Sequence, residues 1–256
     1  MGEKNEFFFW LVTFLNVNEV SRILFMNNKT SSRIAIIAII VLPIVLYYVM
    51  RQGTVVVNYV PILGEREYDS LKKDTIYHTV PPFKFTDQLG RTVTNKNFDG
   101  HIYIANFFFS TCKDVCPKMQ GVVHSIYEKF CDTTGGKNGD PLIRFISHTV
   151  DPETDDVAQL KRTSDAMNIN PNLWYFVTGN KPDVYGIAQR GYLLPTGEDR
   201  SVSADSMKFF HSRTLVLVDK EKRVRGAYDS HDPLDIGRLQ DDVRMLMYEY
   251  KEKKKK

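Results

Sequence analysis

The sequence has no surplus of charge of either sign. Its 34 lysines and arginines are set against 31 aspartates and glutamates, for a formal net charge of +3, and the two signs are interspersed. No basic stripe appears before the C-terminal tail, which argues against a nucleic-acid-binding surface. The chain also lacks any internal repeat, so repeat architectures are set aside. Cysteine is scarce, with three residues in 256. Long hydrophobic runs are scarcer still, because only one is long enough to matter. What remains, 43% hydrophobic and 25% charged, fits an ordinary globular protein of one main domain plus appendages.

The one long run is Ile34 to Met50, uncharged and bounded by Arg33 and Arg51. At the α-helical rise it extends ~26 Å, close to the hydrocarbon thickness of a bilayer. Tyr47 and Tyr48 fall where an interfacial aromatic belt belongs. A buried core helix this uniform would be unusual, and Met50-Arg51-Gln52 lacks the small residues of a signal-peptidase site. The expectation is an uncleaved, single-pass anchor over 34–50. Arg22, Lys29 and Arg33 ahead of it favour a cytoplasmic segment over 1–33 and a C-terminal domain outside the cytoplasm. Phe7 to Leu15 is too short to span, and Met26 is an alternative start. Glu3, Glu6 and Glu19 speak against a mitochondrial transit peptide.

After the anchor, 51–80 reads as a linker, 81–250 as the folded domain and 251–256 as a solvated basic tail. Within the domain, strands are expected at 83–87, 92–94, 102–109, 142–150, 173–177, 214–219 and 223–228. Helices are expected at 155–167, 182–190 and 232–250, and the Gly191–Lys208 stretch reads as a long loop. Strands separated by helices, then a strand pair and a closing helix, make an α/β layer fold.

The chemistry centres on Phe107-Phe-Phe-Ser-Thr-Cys112-Lys-Asp-Val-Cys116-Pro117-Lys-Met119. A buried strand turns at Ser110-Thr111 into a helix whose expected inner face is Val115, Met119, Val122, Ile126 and Phe130. Cys112 and Cys116 therefore lie near a helix N-terminus, where unsatisfied N–H groups favour thiolate. Four positions apart on a helix, they could share a face and close a disulfide or hold one soft metal ion. A staple across so few residues removes little unfolded-state entropy, so a functional role is favoured over a structural one. Cys131 reads as a buried or idle thiol.

Among six histidines, His211 stands out, just ahead of the Thr214 strand in Phe209-Phe-His-Ser-Arg-Thr-Leu-Val-Leu-Val-Asp219. A lone histidine is usually structural. The strand–cysteine–helix opening, however, resembles thioredoxin-like proteins, in which the loop before this strand faces the cysteine pair and carries a proline. Here Arg213 stands ahead of the strand instead, which weakens a disulfide-exchange reading and brings an imidazole toward two sulfurs. Such a set suits copper, and reasonably zinc. His124 reads as packing or surface, and His148 as a weak candidate at a strand end facing the site. Asp151 could steady a ligand from outside the coordination shell, or simply open the next helix as an Asp-Pro turn.

These motifs, with HTVDPETDDVAQLK, LWYFVTG, VYGIAQRGY and FFHSRTLVLVDKEKRVRGAYD, resemble the Sco/SenC family from about Pro81 to the closing helix. The resemblance implies a thioredoxin-like fold behind one transmembrane helix and copper, as Cu(I) or Cu(II), held outside the cytoplasm. The family's copper ligands fall on Cys112, Cys116 and His211, and its acidic motif on Asp151. Many members have proline after the first cysteine, where this chain has Lys113. The implied role is delivery of copper to the binuclear centre of cytochrome c oxidase subunit II. Further implied partners are another copper chaperone or a thioredoxin-like reductant, with lipid met through the anchor and no nucleic acid. The implied place is the periplasmic side of a bacterial inner membrane rather than the mitochondrial intermembrane space. A membrane-tethered thiol-disulfide oxidoreductase or redox sensor using Cys112 and Cys116 is the alternative, and a metal-free interaction domain a third. An enzymatic role is left open.

Overall fold

Ile102 to Phe108 is buried at every position, as expected of a strand covered on both faces. In the computed structural model it is β5, the centre of a mixed sheet. The structure describes residues 41–42, 59–70, 73–112, 115–130, 143–194 and 213–253. Two units are distinguished, 1–57 and 58–256. In the first, only Val41 and Leu42 are described, as helical. The rest of the expected 34–50 anchor lies outside the described residues, among which no helix is long and apolar enough to cross a membrane.

In the second unit, β1 (Arg66–Asp69) and β2 (Asp74–Tyr77) form an antiparallel hairpin. β3 (Lys84–Asp87) and β4 (Thr92–Thr94) follow, then β5 (Ile102–Phe108), α1 (Val115–Phe130) and β6 (Ile143–Thr149). Next come α2 (Val157–Ala166), β7 (Trp174–Thr178) and α3 (Lys181–Gly186), which runs into a π-turn to Gly191. β8 (Thr214–Val218), β9 (Val224–Asp229) and α4 (Pro233–Lys253) are the last described elements. The sheet order is β4-β3-β7-β6-β5-β8-β9. β5, β6 and β7 run parallel, joined through α1 and α2, while β3 and β8 flank them antiparallel.

Alternation along β5 divides the core. Ile104 and Phe108 pack with Met119, Val123 and Ile126 of α1 and with Leu239 and Val243 of α4. Tyr103, Ala105 and Phe107 point the other way, to a cluster with Phe85, Phe98, Val184 and Tyr192. The inner face of α1 is rotated from the expected one. Met119 and Ile126 are buried, but Cys116, Val123 and Tyr127 join them, while Val115, Val122 and Phe130 are only half-buried. Tyr127 can join the buried face because its hydroxyl has a partner there, accepting the Asn170 N–H at 3.0 Å.

The stretch expected as a linker over 51–80 is structured in its second half. Beyond the hairpin, the Leu63 N–H donates to the Val224 carbonyl and the Val80 N–H to the Lys222 carbonyl, each at 2.8 Å. Buried Arg225 holds the same segment from within. Its Nε donates to the carbonyls of Val60 and Pro61 at 3.1 Å, and its Nη atoms to Asp219 at 2.8 Å and Glu249 at 3.1 Å. The edge strand β9 is thereby bonded at its first residue, Val224, to the entry segment.

Candidate functional site

β5 ends at Phe108 and the chain turns, with the Cys112 N–H donating to the Phe109 carbonyl at 3.3 Å. α1 begins only at Val115, so Cys112 precedes the helix and does not share its face. The two cysteines meet for a different reason. First-turn N–H groups have no partner inside a helix, and that of Cys116 donates to Cys112 Sγ at 3.3 Å. No disulfide joins the two residues. Cys112 is half-buried, whereas Cys116 is 6% exposed.

The thiolate-favouring environment expected of this junction does not hold for Cys116. Burial pushes its thiol up to about 12. A hydrogen bond from the Phe109 backbone pulls down, while the Cys112 side chain and the nearby Asp155 push further up. Desolvation outweighs the helix terminus. Cys116 is therefore a protonated thiol at neutral pH, and any metal cation that takes its sulfur must displace that proton.

Asp155 is the acidic group that reaches this loop. It is wholly buried and accepts the Ser110 N–H at 3.1 Å, with the hydroxyls of Ser110 and Thr149 also donating to it. One carboxylate thus ties the end of β6 to the residue two before Cys112. Asp151 contributes differently. Its carbonyl accepts from the N–H groups of Thr154, at 3.2 Å, and Asp155, at 2.9 Å, closing the turn that carries Asp155 back over the strand end. Asp151 stands out in the sequence as a candidate, and Asp155 does not. The available signal was the turn itself, since Asp151-Pro152 sends a residue four positions on back toward the strand.

The histidines separate. His148 does not face the cysteines. It is buried on the opposite side of the sheet, against Phe85 and Phe107 at ring-centroid distances of 5.1 Å, with Nε2 3.1 Å from the Tyr192 hydroxyl. His124 is half-buried, its Nε2 3.0 Å from the Met167 carbonyl. His211 and Cys131 lie outside the described residues. The strand that follows His211 is informative all the same. Tyr103 pairs with Val218 and Ala105 with Val216, so Thr214, the first residue of β8, lies at the end of β5 from which the cysteine loop leaves. Among the described residues no three His, Cys, Asp or Glu side chains form a metal-holding group.

A family model described as SCO1/SenC matches residues 72–248. The SCO1 protein homolog of Bacillus subtilis (strain 168) is 27% identical over 177 residues, 67% of this chain and 84% of that protein. Among solved structures, a SCO1/SenC family lipoprotein from Bacillus anthracis str. Ames superposes with a TM-score of 0.53 at 21% identity, over 66% of this chain and 95% of that one. BsSco, described as a member of the Sco family of cytochrome c oxidase assembly proteins with a disulfide switch, superposes with a TM-score of 0.50 at 25% identity. That match covers 66% of this chain and 93% of BsSco. The α/β fold of 58–256 is thus the thioredoxin-like fold of these proteins.

Proposed function

The chain belongs to the SCO1/SenC family, and from that premise we propose that it binds copper and serves the assembly of cytochrome c oxidase. Copper is its cargo, and subunit II of the oxidase is the acceptor. The observation that carries the reading is the meeting of two sulfurs, with Cys112 Sγ accepting the N–H of Cys116 at a strand–helix junction tied down by Asp155. Two thiolates are soft donors that select Cu(I) over harder ions. His211 is the third donor in this proposal, supported by the approach of β8 to the cysteine end of β5. In the same proposal the apolar run over 34–50 anchors the protein, with the copper-binding domain outside the cytoplasm.

Because the Cys116 thiol is held up to about 12, loading releases a proton from it and copper affinity falls as the pH falls. The test is an anaerobic Cu(I) titration of the reduced protein against a competing chelator. One equivalent should bind tightly. Cys112→Ser and Cys116→Ser should abolish tight binding, and His211→Ala should weaken it by about tenfold or more, which is ~1.4 kcal/mol. Binding indifferent to His211→Ala would remove that residue from the site.

A second reading is favoured by the same close pair and by the disulfide switch of BsSco. Cys112 and Cys116 could reduce a partner's disulfide through a mixed disulfide, the second thiol then releasing the partner. Here Cys112→Ser would abolish activity and His211→Ala would hardly matter.

A further inference from the structure

Phe109 and Ser110 share one peptide unit, and both of its polar groups are held. Its N–H, that of Ser110, donates to Asp155 at 3.1 Å. Its C=O, that of Phe109, accepts the Cys112 N–H at 3.3 Å. We propose that Asp155 is a positioning residue, which sets the separation of the Cys112 and Cys116 sulfurs by fixing the plane of this peptide. The proposal deepens the reading of Cys112 and Cys116 as the reacting pair and rests on it.

A peptide unit is planar and trans, so its N–H and C=O point in opposite directions and turn together. A carboxylate that holds the Ser110 N–H therefore aims the Phe109 C=O at Cys112. The sulfur of Cys112 in turn accepts the Cys116 N–H at 3.3 Å, and the Phe109 backbone is hydrogen-bonded to the Cys116 side chain. Both cysteines thus take their place from Phe109, one through its own N–H and the other through its side chain. Asp155 is held in its turn. It is wholly buried, and the hydroxyls of Ser110 and Thr149 donate to it as well. Thr149 Oγ1 accepts the Asp151 N–H at 3.1 Å, which leaves its own proton for Asp155. The Asp155 N–H donates to the Asp151 carbonyl at 2.9 Å, so backbone and side chain both fasten the carboxylate to the end of β6. There Thr149 pairs with Phe108 of β5. The sulfurs are therefore registered against the centre of the sheet and not against α1 alone. Groups ordered before binding need not be ordered by it, so releasing this peptide costs affinity for anything that takes both sulfurs at once.

The test uses the full chain with Cys131→Ser, so that Cys112 and Cys116 are its only thiols. The probe is phenylarsine oxide. Its arsenic(III) forms two As–S bonds while its oxygen leaves as water with the two thiol protons, so nothing is oxidised or reduced. Asp155→Ala should weaken capture about tenfold or more. Asp155→Asn keeps an acceptor for the Ser110 N–H, and its NH₂ can donate to a hydroxyl, so capture should stay within about threefold of the parent. Asp155→Glu keeps the charge but displaces the oxygens by one methylene. It should weaken capture as Asp155→Ala does, and it carries the test if Asp155→Ala does not fold. Leu239→Ala, in the fully buried core of α4, lowers stability without touching the loop and should capture the arsenical as the parent does. Capture unchanged by Asp155→Ala, no recovery in Asp155→Asn, or an equal loss in Leu239→Ala overturns the positioning role. Cu(I) binding is measured separately on the wild type. If the wild type fails to bind Cu(I) while the arsenical series stands, the metal reading falls and the positioning role remains.

Discussion

His148 is an imidazole in an aromatic box, between Phe85 and Phe107 and, among the described residues, bonded only to the Tyr192 hydroxyl, with no partner for Nδ1. Burial holds it at about 3, against 6.5 for the unfolded chain. Between those values the unfolded state binds a proton that the folded state refuses, so stability rises with pH across that window. The contribution is complete above pH 6.5 and is lost progressively as the pH falls toward 3, with a slope of up to ~1.4 kcal/mol per pH unit. Urea unfolding at pH 7, 6, 5 and 4 should show that loss in the wild type. His148→Phe should flatten the profile, and an unchanged slope would mean that another group carries it.

The elements show how far a sequence can be read. β5 and β8 were legible because all their residues but Asn106 and Thr214 are apolar or aromatic, which leaves no polar face to expose, and α4 because its periodicity is long. The inner face of α1 was read one step off, and that is measurable. Met119→Ala and Ile126→Ala should each cost about 2–5 kcal/mol, since both side chains are fully buried. Val122→Ala, half-buried on the flank, should cost under ~1 kcal/mol. Denaturant unfolding decides between the two faces through Val122→Ala, with the Met119 and Ile126 variants, common to both faces, as the reference for a buried position. β1 and β2 were not legible. Each has four residues, none of them buried, so they resembled a linker. Within the candidate site, Cys112 and Cys116 announced themselves by spacing and by position after a buried strand. Asp155 did not, because its role comes from a turn that folds it back onto Ser110, a contact across 45 positions. The state of the Cys116 thiol was also hidden, since a helix terminus is visible in sequence and the depth of burial that outweighs it is not.

At the scale of the molecule, Arg225 joins three parts of the domain, the entry segment at Val60, the β8–β9 turn at Asp219 and the closing helix at Glu249. Arg225→Met leaves buried Asp219 with Arg223, whose Nε donates at 2.9 Å, as its one cationic partner among the described residues. Breaking one side of a buried ionic cluster costs ~3–5 kcal/mol. The loss should appear locally as well, as faster hydrogen exchange at the Leu63 and Val80 amides, and equal protection in both proteins would refute the clamp. The bond between Arg225 and Val60 spans 165 positions. A contact that distant is closed only after the loop entropy between its ends has been overcome, and it slows the search for the native state. On a ribosome the entry segment emerges long before Arg225 and Glu249 are made. The start of β9 and the segment bonded to it therefore find each other only after the residues between them have been made, and until then the entry segment is exposed to chance pairing with other chains.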